Sequence, residues 1–113
     1  MKITLYGLTP SKKNSRINLR NGMSFPSSKY TAWHKDASLQ LIGIKPIKSK
    51  SIEAIFYAGD NRKFDLSNKF ESIADLLVDN GLLEDDNWEY LNDIHLKFGG
   101  VDKGNPRCEI SYN

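Results

Sequence analysis

Residues 62–93 read RKFDLSNKFESIADLLVDNGLLEDDNWEYLND, one clean helical period with acidic groups at both ends. Leu66, Phe70, Ile73, Ala74 and Leu77 recur at the spacing of one buried helix face, which predicts a helix over residues 67–79. Gly81 is a typical residue just past a helix end. Leu82 and Leu83 then return to the core, and Glu84, Asp85, Asp86 and Asn87 make a polar turn that Trp88 and Tyr90 can anchor. Ser67, Glu71 and Asp75 are spaced i, i+4, i+8 and share a different face from the apolar stripe. Asp65 stands just before the helix and Asp86 just after it. Thirteen helical residues at about 1.5 Å each separate them by about 20 Å, so a common site needs a returning loop or a residue from a second copy.

Upstream, residues 49–58 alternate Ile52, Ala54, Phe56 and Ala58 with Ser51, Glu53, Ile55 and Tyr57. The second set is also largely apolar, which predicts a central strand covered on both faces. Gly59, Asp60 and Asn61 make the turn into the helix. Downstream, strands are expected over residues 90–98 and 107–112, joined by a turn at residues 102–105 into an antiparallel hairpin. At the start of the chain, residues 2–6 alternate as a short strand, with Ile3 and Leu5 inward, ended by Gly7, Pro10 and Ser11. The segment to Ser27 is basic, with Lys12, Lys13, Arg16 and Arg20 among Asn14, Asn18 and Asn21; Asn21 followed by Gly22 predicts a small hairpin or a mobile loop. A second helix follows over residues 28–41, capped by Ser27 or Ser28, with Tyr30, Trp33, Ala37 and Leu41, extended to Ile44, as its stripe. Trp33 reads as core and His34 as a surface histidine. The order β-α-β-α-β-β predicts a single small α+β domain, a mixed or antiparallel sheet with two packed helices.

The chain has 113 residues, 27% charged and 39% hydrophobic, which suits one soluble domain with a small core. No apolar run reaches membrane-spanning length, and the first residues lack a signal peptide's apolar core, so residence in the cytoplasm is expected. One cysteine, Cys108, excludes an internal disulfide and a cysteine-rich zinc site; between Arg107 and Glu109 on a strand it reads as a buried thiol. The net charge of +2 conceals a division. Residues 1–63 carry 12 Lys/Arg and 3 Asp/Glu, or +9; residues 64–113 carry 4 and 11, or −7. A basic half suits a polyanionic partner, which an acidic half repels unless metal ions bridge them.

Phosphodiester hydrolysis fits that combination. Clustered carboxylates repel phosphate, but they hold Mg²⁺, a hard ion that prefers oxygen ligands. Such an ion activates water and covers charge on the phosphoryl oxygens. Arg62, Lys63 and Lys69 are placed to meet neighbouring phosphates, and the cationic residues before Asn21 can track a backbone without reading bases. The same residues also allow a plainer reading, in which Glu84, Asp85 and Asp86 form a solvated turn while Asp65 and Ser67 cap a helix and favour its positive end.

The run DLSNKFESIADLLVDNGLLEDD, residues 65–86, resembles the RusA family of Holliday junction resolvases, common in phages and prophages. The family carries an Asp-Leu-Asp-Asn element, a helix with a further Asp, then Gly and a Leu/Ile-x-Asp-Asp turn. Pro10 and Ser11 followed by Asn14 are similar to its Pro-Ser-x-Asn element. The resemblance implies a homodimeric, Mg²⁺-dependent endonuclease, with Mn²⁺ as a substitute, that nicks four-way DNA junctions in the cytoplasm of a bacterial host. It places catalytic carboxylates at Asp65, Asp75 and Asp86, with Asp85 beside the last as a further metal ligand, and a DNA contact at Asn68. Two positions depart from the family. Its second Asp is Ser67 here, and its helix Lys is Glu71. A carboxylate lost at Ser67 is thus offered again one turn on, giving a set of Asp65, Glu71, Asp75 and Asp86. Lys69, Lys63 or the basic segment remains to replace the cation. The alternatives are a non-catalytic protein that binds branched DNA and a small interaction protein that uses the fold without DNA.

Overall fold

A computed structural model describes residues 1–12 and 16–113. Among these, the chain forms β1 (Lys2–Tyr6), β2 (Arg16–Asn18), β3 (Ser24–Pro26), α1 (Ser28–Gln40), β4 (Ser51–Ala58), α2 (Leu66–Asp79), β5 (Asp93–Val101) and β6 (Arg107–Ser111). The main sheet has the order β1-β6-β4-β5, in which β4 runs parallel to β5 and antiparallel to β6. The domain is therefore α+β with a mixed sheet and two packed helices, as the periodicities predict. The Asn21–Gly22 signal makes a hairpin of β2 and β3, in which Gly22 takes a left-handed φ of 84°.

The expected hairpin of the last two strands is not formed. β5 pairs with β4 alone, while β6 inserts between β4 and β1. Burial explains the choice. Cys108 and Ile110 are fully buried, and a central place in the sheet covers both, whereas an edge beside β5 would leave one flank of β6 open. The connecting turn crosses over the end of β4: the Asp102 amide donates to the Ala58 carbonyl at 2.7 Å, and Pro106 accepts from Gly7 at 2.9 Å. β5 also begins later than predicted, because the Tyr90 and Leu91 amides fold back onto the Asn87 carbonyl at 3.0 and 2.9 Å.

One face of the sheet carries the core. Ile52, Ala54 and Phe56 of β4, Cys108 and Ile110 of β6 and Ile3 and Leu5 of β1 pack against Phe70, Ile73, Ala74 and Leu77 of α2 and Ala37 of α1. The other face of β4 is half-buried rather than covered. Its neighbours there are side chains of the sheet itself: Arg107 stacks on Tyr57 at 3.9 Å and bonds Glu109 at 2.9 Å, and Lys97 pairs with Glu53 at 3.1 Å. Ser27 caps α1, accepting from the Tyr30 amide at 3.2 Å. His34 is half-buried and meets Asp79 of α2 at 2.9 Å.

Candidate functional site

Helix α2 grips the segment that follows β1. Lys69, Ser72 and Asp75 are spaced by three, so they line one side of the helix. They take the next residues of the segment in turn. The Lys69 ammonium donates to the Thr9 carbonyl, the Ser72 hydroxyl donates to the Pro10 carbonyl at 2.7 Å, and the Lys12 ammonium meets the Asp75 carboxylate at 2.5 Å. Gln40 of α1 holds the end of β1 by two further bonds, to the Tyr6 amide at 2.8 Å and the Tyr6 carbonyl at 3.0 Å. Lys12, the first cation of the basic segment, is thereby set on the acidic side of α2.

Lys12 is the electrostatic centre of that side. Its hydrogen bond with Asp75 raises its pKa, partial burial opposes the rise, and the charges of Asp75, Glu71 and Asp86 add to it. Of the expected catalytic carboxylates, Asp75 pairs with Lys12 directly, and Glu71 and Asp86 contribute through their charge. The returning loop after α2 brings Asp86 into this field. Asp65 is elsewhere. It occupies the position before α2, and its Oδ2 accepts from the Asn68 side-chain Nδ2 at 3.2 Å instead of capping the helix. It opens onto a groove of about 610 Å³, lined also by Arg62, Lys63, Phe64 and, from β5, Phe98 and Val101.

The expected four-carboxylate set is accordingly divided between two places. Among the described residues no three His, Cys, Asp or Glu side chains approach closely enough to form a metal site. Asp85, expected as a ligand, is engaged by its own loop: its Oδ1 accepts from the Asp86 amide at 2.7 Å and its Oδ2 from the Asn87 side chain at 3.1 Å. Carboxylate oxygens are the donor type that a hard cation prefers, but only Asp75 meets the Lys12 ammonium directly, and Glu71 and Asp86 act on it through their charge.

The expected phosphate contacts also separate. Lys63 and Arg20 are exposed. Arg62 is exposed and bonds Asp60 through Nε at 2.9 Å. The backbone amide of Arg62, with its side chain, holds the Asp60 carboxyl below its ordinary pKa. Lys69 is a correction. It is buried, 8% exposed, with its ammonium on Thr9 and 4.7 Å from the centre of the Phe64 ring. Burial lowers its pKa, and the nearby Arg62 charge adds to that effect, so it serves the clamp rather than a surface phosphate. Lys13 and Asn14 lie outside the described residues, and Arg16 is described only as backbone of β2. Trp88, expected as an anchor of the acidic turn, is 76% exposed; the buried Leu91 holds that turn instead.

Sequence reasoning missed the clamp itself and the placement of Lys12 among the carboxylates. A signal for the clamp was present: Lys69 and Ser72 are polar residues beside the apolar stripe, where an amphipathic helix ordinarily places apolar ones. No helix among the described residues is long and apolar enough to cross a membrane. In comparison with known proteins, the chain matches no family model and no curated protein.

Proposed function

We propose that this chain is a metal-dependent, structure-selective endodeoxyribonuclease that resolves four-way DNA junctions, working in the cytoplasm of a bacterial host and encoded by a phage or prophage. One observation supports the reading: Lys12, the first cation of the basic segment, pairs with Asp75 on α2 at 2.5 Å, and the charges of Glu71 and Asp86 add to that pair. The resemblance of residues 65–86 to the RusA pattern supports it. The family's helix Lys is Glu71 in this chain, and Lys12 supplies a cation to the same helix face from a different element.

The division of labour follows from the positions. Glu71, Asp75 and Asp86 do not form a metal site as they stand; on this reading they would have to draw together around Mg²⁺ or Mn²⁺, which would supply an activated water and charge cover for the phosphoryl oxygens. Lys12 keeps this side from repelling a polyanion until DNA arrives, and then adds its charge to the phosphate contacts of the basic segment. Arg62 and Lys63 receive a second stretch of backbone at the groove. Asn68 fixes the carboxylate of Asp65 there. Two copies acting on a nearly two-fold symmetric junction would nick opposing strands.

A second reading, a branched-DNA-binding protein without catalysis, is favoured by one observation: Asp65 stands apart from the other carboxylates. Asp86→Asn distinguishes the two. Cleavage of a synthetic four-way junction is expected to disappear while binding in a mobility-shift assay is kept or tightened. Cleavage unchanged by Asp86→Asn would remove Asp86 from the mechanism; junction binding without cleavage by the unaltered protein would favour the second reading.

A further inference from the structure

Strand β5 carries a bulge that builds one wall of the groove at Asp65. Phe98 stands opposite Phe56 of β4, and Val101 stands opposite Ala58, with a register shift between the two pairs. Phe56 and Ala58 are two residues apart and so point to one face. Phe98 and Val101 share that face, although plain alternation over three residues would set them on opposite faces. The extra residue is Gly99, and Gly100 beside it takes a left-handed φ of 117°. The bulge thus gathers two apolar side chains on the helix side of the sheet, where the helices leave them 54% and 43% exposed. Phe64 and Leu66 continue the apolar wall from the turn before α2. The groove, about 610 Å³, falls in the range of about 300–1,000 Å³ common for small-ligand sites.

The wall is held from behind. The Phe64 ring meets Phe98 edge to face at 5.9 Å, and the buried Lys69 ammonium lies 4.7 Å from its centre. The exposed ring surface of Phe98 faces this groove. Two cations share it. Arg62 spends its Nε and its backbone amide on Asp60, which leaves the terminal guanidinium nitrogens for a ligand. Lys63 is exposed and makes no ion pair among the described residues. The acidic members are engaged: Asp60 holds Arg62, and Asp65 accepts from the Asn68 side chain. A flat apolar surface beside available cations is complementary to a flat ring that carries an anion.

We propose that this groove takes one unpaired nucleotide of a DNA strand, its base stacked on Phe98 and its phosphate met by Lys63 and Arg62. The inference rests on the nuclease reading and adds to it a source of structure selectivity. In a duplex each base is covered by its neighbours and cannot reach Phe98. At a branch point or in a single strand a base can leave its stack, and an aromatic side chain then replaces the stacking it has lost. Phosphate contacts alone do not draw that distinction, because every strand offers phosphates. Stacking on an aromatic ring accepts any base, so the groove selects an unpaired base without selecting a sequence.

The test is a photochemical cross-link. A short thymidine strand carrying one 5-iodouracil is irradiated with the protein in EDTA; the iodouracil couples to an aromatic ring stacked upon it. The expected product is a cross-link mapped by mass spectrometry to Phe98, and none when the same base is paired in a duplex. In fluorescence anisotropy, Phe98→Leu is expected to bind the strand about 5- to 150-fold more weakly, and Phe98→Trp at least as tightly as the unaltered protein. Lys63→Gln is expected to lower the slope of log K against log salt by about 0.7, the share of one single-strand phosphate contact. Circular dichroism checks that each variant is folded, and the cross-link decides alone if Phe98→Leu is not. An absent Phe98 cross-link, or a folded Phe98→Leu that binds the strand as before, would overturn the proposal and leave the exposed ring to a protein partner. Free thymidine monophosphate binding as tightly as the strand would overturn it in favour of a free nucleotide. Cleavage is not read here. A protein that cross-links at Phe98 but nicks no junction keeps the groove and loses the nuclease reading; one that nicks junctions without the cross-link does the reverse.

Discussion

Replacing Lys12 by Ala removes the cation at the centre of the acidic side and tests what that cation does. The Lys12 and Asp75 side chains are 41% and 32% exposed and meet at 2.5 Å. Water screens a pair of that exposure, so its coupling is of surface size, about 0.2–1 kcal/mol. The fold should therefore lose less than about 1 kcal/mol, or about 4 °C of melting temperature in a chain of this size. The effect on metal is opposite in sign. On the proposed function, an incoming divalent ion would have to displace the ammonium from Asp75 and overcome its charge. Without Lys12 that cost is gone, and about 0.2–1 kcal/mol corresponds to a gain in affinity of about 1.4- to 5-fold. Isothermal titration with Mn²⁺ at low ionic strength reads the change directly, and added salt should shrink it. The reasoning fails if Lys12→Ala binds Mn²⁺ more weakly than the unaltered protein, if neither protein binds it, or if the variant loses more than about 2 kcal/mol of stability.

Other consequences follow from the sheet. At Gly99 a Cβ would lie 2.6 and 2.7 Å from the Tyr57 ring and 2.9 Å from Ile55. Because Arg107 stacks on that ring, Gly99→Ala should cost about 1–3 kcal/mol in denaturant unfolding; a neutral result would mean the ring moves freely. The hydrogen bond from Arg107, and then that from Lys2, hold the Glu109 carboxyl below its ordinary value of 4.5 against opposing desolvation. The stability it contributes is complete above 4.5 and is lost as pH falls through the lowered folded-state value. Glu109→Gln should thus be less stable near pH 7 and show a flatter acid limb, whereas an unchanged limb would assign the acid sensitivity to other groups. Burial pushes the Cys108 thiol up to about 12. A thiol reagent near pH 8 should label it only on unfolding, and rapid labelling of the native protein would contradict its place in the core.

The local elements were legible because each rests on its own sequence. The stripe of Phe70, Ile73, Ala74 and Leu77 names a helix without help from the rest of the chain, and those four residues are buried as expected. The partners of β5 and β6 were not legible. A turn signal at residues 102–105 reports that the chain reverses there, not which strand it reverses onto. The choice falls to burial of Cys108 and Ile110 between β1 and β4, a contact across the whole chain. The site divides in the same way. The carboxylates at Glu71, Asp75 and Asp86 were named from residue type and resemblance. The carbonyls of Thr9 and Pro10 that Lys69 and Ser72 seek lie about sixty residues away, and no local pattern announces backbone acceptors. Lys69 was misplaced because a lysine beside an acidic motif reads as a surface cation until its burial is known.

Cleavage of a synthetic four-way junction is the most direct measurement, with linear duplex of the same sequence beside it, in Mg²⁺ and in EDTA. The account predicts paired nicks in the junction with Mg²⁺, none with EDTA and none in the duplex. Tight junction binding with no nicks in either Mg²⁺ or Mn²⁺ would contradict it, and would make the carboxylates around Lys12 a charge-balanced surface of a DNA-binding protein.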